Sequence, residues 1–227
     1  MSSPHSPRLA IIGGGPAGLM AAEAACAAGL RVDLYEAMGS VGRKFLLAGK
    51  GGLNLTHAEG AGRFVERYGL RKAEVASWLA AFDAQALREW AFGLGVETFV
   101  GSSGRVFPAD LKAAPLLRRW VRRLRESGVT FHVHYRWLGW QAHGALHFDT
   151  PHGERAVPVD AAIFALGGGS WPQLGSDGEW IAPMARAGVD IAPLQPANCG
   201  FEVSWTEHLR SRFAGARHRA PAGRNVA

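Results

Sequence analysis

The sequence predicts an α/β fold in which a parallel sheet with its helices is joined to a three-stranded antiparallel meander. Three observations carry that expectation. An apolar strand, a glycine-rich turn, an Ala-rich helix and a second strand follow one another over residues 9–36. A nearly unbroken apolar run over 161–166 comes back late in the chain with the composition of a buried parallel strand. Between them, residues 137–159 hold three short segments separated by turn residues.

In chain order, residues 9–12 read as the first strand and Gly13, Gly14 and Gly15 as the tight turn after it. Residues 16–28 are helical, with Pro16 at a start where its missing N–H costs nothing and Gly29 closing the end. Residues 31–35 alternate, with Val32 and Leu34 inward, and stop at Glu36. From Gly39 to His57 the glycines at 42, 49, 51 and 52 predict a long shaped loop around a short apolar segment, 45–48. Loops of that length usually serve a ligand. Helices are expected over 73–81 and 84–92, the second capped by Asp83. Residues 96–100 are extended and close in the turn 101–104, and a helix from about Pro115 to Ser127 leads into a strand over 129–135. The meander strands are 137–142, 145–150 and 155–159, with turns at His143-Gly144 and at 151–154.

Composition bounds the rest. The chain has 227 residues, 48% hydrophobic and 19% charged, so disorder over its whole length is excluded. Its 30 glycines and 12 prolines follow no three-residue period, which removes collagen. Residues 1–192 are expected to form one domain and 193–227 the truncated start of another. The tail, 216–227, is dominated by Arg, Ala, Pro and Gly; it is expected to be a disordered basic segment. The net charge of +6 is mostly terminal, because Arg210, Arg212, Arg217, Arg219 and Arg224 face no acid after residue 208. A second basic run, Arg118, Arg119, Arg122, Arg123 and Arg125, interleaves with Leu116, Leu117, Trp120, Val121 and Leu124 at helical spacing and reads as a solvated helix face. Cys26 and Cys199 lack partners at metal-binding or redox spacing, so two reduced thiols are expected and no metal. Residues 8–28 imitate a secretory signal, but their glycines and Glu23 break the required apolar helix. The expected location is the cytoplasm, with no membrane span.

The turn matches G-x-G-x-x-G as Gly13, Gly15 and Gly18, with Glu36 eighteen positions beyond. Gly13 permits the sharp turn, Gly15 has no Cβ to keep a pyrophosphate from the backbone, and Gly18 lets helix and strand pack closely. The pyrophosphate would sit on the free N–H groups at the helix start. Glu36, ending the second strand, can accept hydrogen bonds from both ribose hydroxyls of an adenosine and would repel a 2′-phosphate. These residues define a Rossmann-like dinucleotide site without distinguishing FAD from NAD. Two features lean to FAD, whose extended form needs more wrapping: the glycine-rich loop carrying Arg43 and Lys44, and the return strand ending Ala165-Leu166-Gly167-Gly168. Arg43 could neutralise the pyrophosphate or reach the ribityl side.

The sequence resembles the aminoacetone oxidase or BaiN-like flavoproteins, within the two-dinucleotide-fold class of FAD oxidoreductases. The likeness covers residues 10–36 (A-I-I-G-G-G-P-A-G-L-M-A-A at their start), 42–56 (G-R-K-F-L-L-A-G-K-G-G-L-N-L-T), 104–108 (G-R-V-F-P), 165–178 (A-L-G-G-G-S-W-P-Q-L-G-S-D-G) and 198–215. The resemblance implies FAD, with Gly13, Gly15, Ala17, Gly18, Glu36, Arg43, Lys44, Gly51, Asn54, Gly167 and Gly168 in or near its site. Where many members read S-G-G-G-R-C-N, this chain has Ala48, Gly49, Lys50, Gly51, Gly52, Leu53 and Asn54, so a substrate is not carried over. The family's A-T-G-G appears as Ala165-Leu166-Gly167-Gly168, which loses a hydroxyl. Members are longer and return to the flavin after an inserted substrate domain; a truncation or reading-frame shift near Gly215 is therefore expected.

The remaining candidates carry less. His132, His134, His143, His147 and His152 lie on or around the meander and are expected at its surface. His57 follows the glycine-rich loop, Arg105 could face substrate by resemblance, and Trp171 with Pro172 could pack beside a flavin or plug the sheet end. No H-E-x-x-H, G-x-S-x-G or Cys-His pairing supports hydrolase or zinc chemistry. With FAD the isoalloxazine carries the redox step, so catalytic side chains stay unassigned. The expected function is hydride or two-electron transfer between flavin and a small organic substrate, with NAD(P)H or oxygen as the other partner and no nucleic acid. Two alternatives stand beside it: an inactive dinucleotide-binding fragment, and a basic nucleic-acid-binding protein, whose binding would fall steeply with salt.

Overall fold

A computed structural model describes residues 7–48, 51–195 and 206–213. The chain divides into two units, Met1–Leu194 and Gln195–Ala227. In the first, β1 (Arg8–Ile12) runs into α1 (Pro16–Ala27), and β2 (Arg31–Glu36) lies parallel to β1, pairing Leu9 with Val32 and Ile12 with Tyr35. The N–H of Gly13 donates to the carbonyl of Tyr35 (2.8 Å), so the glycine turn is tied to the end of β2. Residues 43–48 are not loop, as the glycine density suggested, but a helix, α2 (Arg43–Ala48). Gly42, at positive φ just before it, donates its N–H to the carbonyl of Gly14 (2.8 Å) and leaves no space for a Cβ beside Leu117.

The chain then leaves the parallel sheet. β3 (Thr56–His57), α3 (Ala61–Glu66), α4 (Lys72–Ala81), α5 (Ala84–Gly93), β4 (Thr98–Val100) and β5 (Arg105–Pro108) form a small helical and antiparallel insertion, its sheet ordered β3-β5-β4. Asp83 caps α5 as expected, its Oδ1 accepting from the N–H of Ala86 at 2.8 Å. Helix α3 and strand β5 have no strong periodicity and escaped the sequence reading. Helix α6 (Ala113–Glu126) starts two residues before Pro115 and packs Leu116, Leu117, Trp120 and Leu124 inward. Its basic face is only partly solvated. Arg119 donates to the carbonyls of Leu94 and Gly95, and Arg123 pairs with Glu23 at 2.6 Å. Glu23 also accepts the indole N–H of Trp120 (2.7 Å) and of Trp90 (3.1 Å), which staples α1, α5 and α6 together.

β6 (Thr130–Val133) returns to the sheet beside β2, and the meander follows as β7 (Arg136–Trp140), β8 (Leu146–Asp149) and β9 (Arg155–Val157), in that order. β10 (Ala161–Phe164) pairs parallel to β1 and completes the order β10-β1-β2-β6; α7 (Ile181–Arg186) closes the unit. The sheet thus separates two cores. Leu9, Ile11, Val32 and Leu34 meet α1 and α6 on one face, while Ala10, Ile12 and Tyr35 meet Trp137, Leu146 and Phe148 of the meander on the other. The apolar run of β10 was expected to be buried. It is instead an edge strand whose Ala161 and Ile163 are exposed (Ile163 at 39%), because composition reports an apolar face and not the number of neighbours. The second unit contains α8 (Glu207–Phe213). Cys199 and the expected tail, 216–227, lie outside the described residues. Among the described residues no helix is long and apolar enough to cross a membrane.

β2 corrects a further expectation. Not only Val32 and Leu34 but also Asp33 and Tyr35 are buried, since the meander covers the face that alternation assigned to solvent. Asp33 accepts from Arg8 Nε (2.8 Å) and pairs with His132 (2.7 Å), whose ring stacks on Tyr35 at 4.5 Å. His132 is therefore half-buried structure rather than surface. Burial opposes the charge on Asp33, but its hydrogen bonds with Arg8 and His132 outweigh that and hold the carboxyl below its usual range. Burial, reinforced by the charge of Asp33, pushes the Tyr35 phenol up to about 12.

A carboxyl held below its unfolded value contributes its full stabilisation above the ordinary carboxylate pKa of about 3.9 and loses it as the pH falls through that value toward the folded one. Asp33→Asn should therefore cost about 1–3 kcal/mol at neutral pH and much less in acid. Urea midpoints of both proteins across that range measure the difference, and parallel pH profiles would refute the assignment.

Candidate functional site

The carboxyl ends of β1, β2 and β10 open on one narrow cleft of about 130 Å³, where a parallel α/β sheet places its ligands. Gly13, Gly15, Glu36, Arg43, Lys44 and Gly167, widely separated in sequence, all line it.

The three glycines of the turn differ in their surroundings. Gly13 sits at φ +108°, and a Cβ there would overlap the carbonyl of Ala165 at the end of β10. Gly18 is buried inside α1, and a Cβ on it would overlap the carbonyl of Gly13. Gly15 differs: nothing lies within 4 Å of where its Cβ would be, and it is the extended residue before α1, beside free N–H groups of the first turn. Gly13 and Gly18 are small because protein surrounds them. Gly15 is small and open.

Glu36 is engaged by backbone. Its Oε2 accepts from the N–H of Gly14 and its Oε1 from the N–H of Met38, each at 2.8 Å. These bonds fix the carboxylate at the cleft and leave each oxygen further acceptor capacity. Lys44 Nζ donates to Ser176 Oγ (2.8 Å), which donates in turn to the carbonyl of Gly168 (2.8 Å). The far wall carries Arg136, whose guanidinium bonds to Asp177 (3.0 Å) and Glu179 (2.9 Å). Burial disfavours the Asp177 carboxylate, but the bond from Arg136 more than compensates and keeps its pKa low. The hydrogen bond to Asp177 likewise raises the Arg136 pKa. The cleft therefore carries two cations, Arg43 and Lys44, and the Glu36 carboxylate on one side and a charge-paired wall opposite. Three buried donors on its lining residues, Arg43 Nε and the indole N–H groups of Trp137 and Trp180, have no hydrogen-bond partner among the described residues. An acceptor-rich group suits such walls.

Several expected residues are elsewhere. Ala17 is exposed on the first turn of α1, and Gly168 stands behind the cleft, bonded to Ser176. Gly51 is exposed, and Asn54 spends its amide donors on the carbonyls of Thr56 (2.7 Å) and Val106 (3.1 Å); neither lines the cleft. His57 braces a turn, accepting from the N–H of Glu59 at Nδ1 (3.1 Å) and meeting the carbonyl of Ser103 at Nε2 (3.0 Å). Arg105 is exposed on β5, and Trp171 pairs with Ser176 in a tight bridge. Ser176, Arg136 and Asp177 were missed, because a lone serine and an ordinary arginine carry no spacing signal. The segment of family likeness at 165–178 contains Ser176 and Asp177 without singling them out, and nothing in the sequence marks Arg136.

A family model described as the HI0933-like protein Rossmann domain matches residues 7–213. The chain belongs to the HI0933-like family. This is a family of FAD-binding oxidoreductases, and FAD is its cofactor. A curated relative, the 3-dehydro-bile acid delta(4,6)-reductase of Clostridium scindens, is 29% identical over 223 residues, covering 92% of this chain and 50% of its own length. The HI0933-like chain thus spans about half of that relative. Among solved structures, the open conformation of a flavocytochrome c3 fumarate reductase superposes with a TM-score of 0.59 at 15% identity, over 82% of this chain and 41% of that one. The 3-ketosteroid-delta4-(5alpha)-dehydrogenase of Rhodococcus jostii RHA1 gives 0.52 at 13% identity, over 74% and 47%. Both likenesses show the fold.

Substitution separates the glycines of the HI0933-like turn. Gly13→Ala and Gly18→Ala should each destabilise by about 2 kcal/mol or more, through overlap with backbone that cannot yield. Gly15→Ala should stay within about 0.5 kcal/mol. Thermal melts of the three variants test the assignment, and equal losses at all three positions would contradict it.

Proposed function

We propose that residues 1–192 form the FAD-binding domain of an oxidoreductase that moves a hydride or two electrons between flavin and a small organic substrate, with NAD(P)H or oxygen as the second redox partner. One observation carries the reading most: the open Gly15 at the start of α1 shares its cleft with Glu36, Arg43 and Lys44. The free N–H groups of α1, the guanidinium of Arg43 and the ammonium of Lys44 would receive the diphosphate. Glu36, held in place by Gly14 and Met38, would accept from the ribose hydroxyls. Gly13, Gly18 and Gly168 would act through shape, Ala17 through the exposed first turn, and Gly167 through the cleft wall. Gly51 and Asn54 would contribute only if a ligand extends past the cleft toward β3.

When bound, FAD supplies the electron-accepting ring; the chain's own residues bind it, orient it and limit water. No side chain is assigned a proton. The substrate named for the Clostridium relative is not transferred, because the sequence at 48–54 departs from the family pattern. A nucleic-acid role gains little from α6, where Arg119 and Arg123 are engaged by their own protein.

The purified chain should be yellow, and the chromophore released on denaturation should be FAD rather than FMN. Gly15→Val should lose it with the thermal midpoint unchanged, while Glu36→Gln should weaken FAD binding roughly tenfold through a lost charged acceptor. A colourless chain that takes up no FAD on titration would overturn the proposal.

A further inference from the structure

We propose that Ser176 is a positioning residue that aims Lys44 at the diphosphate, an inference that rests on the dinucleotide reading above. The observation is a three-member relay. Lys44, near the start of α2, donates to Ser176 Oγ, and the serine's single O–H is spent on the carbonyl of Gly168, each bond 2.8 Å long. With its proton committed, Ser176 can meet Lys44 only as an acceptor. The serine is 3% exposed, so its direction is fixed by packing. The lysine is not buried so deeply; Lys44 and Gly167 both line the cleft, with Nζ 3.8 Å from where a Cβ on Gly167 would lie.

An ammonium has three donors, and Ser176 takes one. Two remain for an anionic ligand at the end of a stem that would otherwise sample many rotamers, at an entropic cost on binding. The serine meets much of that cost before the ligand arrives. The relay also joins two segments 132 residues apart in sequence, helix α2 and the loop after β10. The cation's position therefore depends on both walls of the cleft being in register.

A bracing role for Ser176 through Gly168 alone would give the same static contacts, and a double-mutant cycle separates the two. FAD and, separately, ADP are titrated into apo-protein of the full chain for wild type, Ser176→Ala, Lys44→Met and the double variant. Ser176→Ala should weaken both ligands about fivefold, Lys44→Met about tenfold, and the double variant no more than Lys44→Met alone. Ser176→Thr, which keeps the hydroxyl, should restore affinity to within about twofold. Ser176→Ala should also show a flatter salt dependence of ADP binding, which bracing would not change. If the serine's loss is the same with and without Lys44, or if Ser176→Thr fails while its thermal midpoint is native, the positioning role is overturned. If wild type binds neither FAD nor ADP, the dinucleotide reading itself fails.

Discussion

The close approach of Gly13 to Ala165 governs the rest of the first unit. At this point two parallel strands, a turn and a helix converge so tightly that neither Gly13 nor Gly18 has room for one further carbon. That convergence holds the start of α1 directly over the carboxyl ends of β1 and β10. It also sets the depth of the cleft, because a turn held further out by a methyl group would separate Gly15 from Glu36 and from the wall at Gly167. The hydrogen bonds from Gly13 to Tyr35 and from Gly42 to Gly14 extend the constraint to β2 and α2. Chemistry at the cleft is thus a consequence of backbone packing, and the charged residues are placed by it.

Much of this was legible in the sequence, for reasons that differ from element to element. The strand-turn-helix-strand opening was readable because glycine spacing, proline position and apolar period all agree there. The meander was readable from its turns. By contrast, the glycines around 39–52 concealed α2, since glycine density reports conformational freedom at particular residues and says nothing of the six between them. Asp33 was misread as a solvent-facing position because alternation assumes one covered face, and β2 has two. Of the residues that line the cleft, Gly13, Gly15 and Glu36 were singled out by the glycine spacing, and Arg43 and Lys44 by the glycine-rich loop and the family resemblance. Ser176 and Arg136 were not, since their roles depend on partners 132 and 41 residues away.

The two faces of the sheet are stabilised in different ways. Helices α1, α5 and α6 are bound on one side by a carboxylate, Glu23, shared between two indoles and an arginine. On the other side, Tyr35, His132, Tyr135 and Phe148 form a stack of rings around the Asp33 pair. Both arrangements place a charge where it is multiply hydrogen-bonded, which makes the packing specific as well as favourable. Tyr35 belongs to the ring stack and also lines the cleft, so cleft and core share one side chain.

The position of β10 at the rim has a bearing on how such a chain can be elaborated. Its inner edge locks to β1 and so to the glycine turn, while its outer edge is unpaired among the described residues and Ile163, in register with Ile11, is left 39% exposed. Extra polypeptide could be annexed along that margin, lengthening the ladder and shielding the isoleucine, without disturbing an atom of the turn. Growth of the architecture and the geometry of its cleft are in this sense mechanically independent.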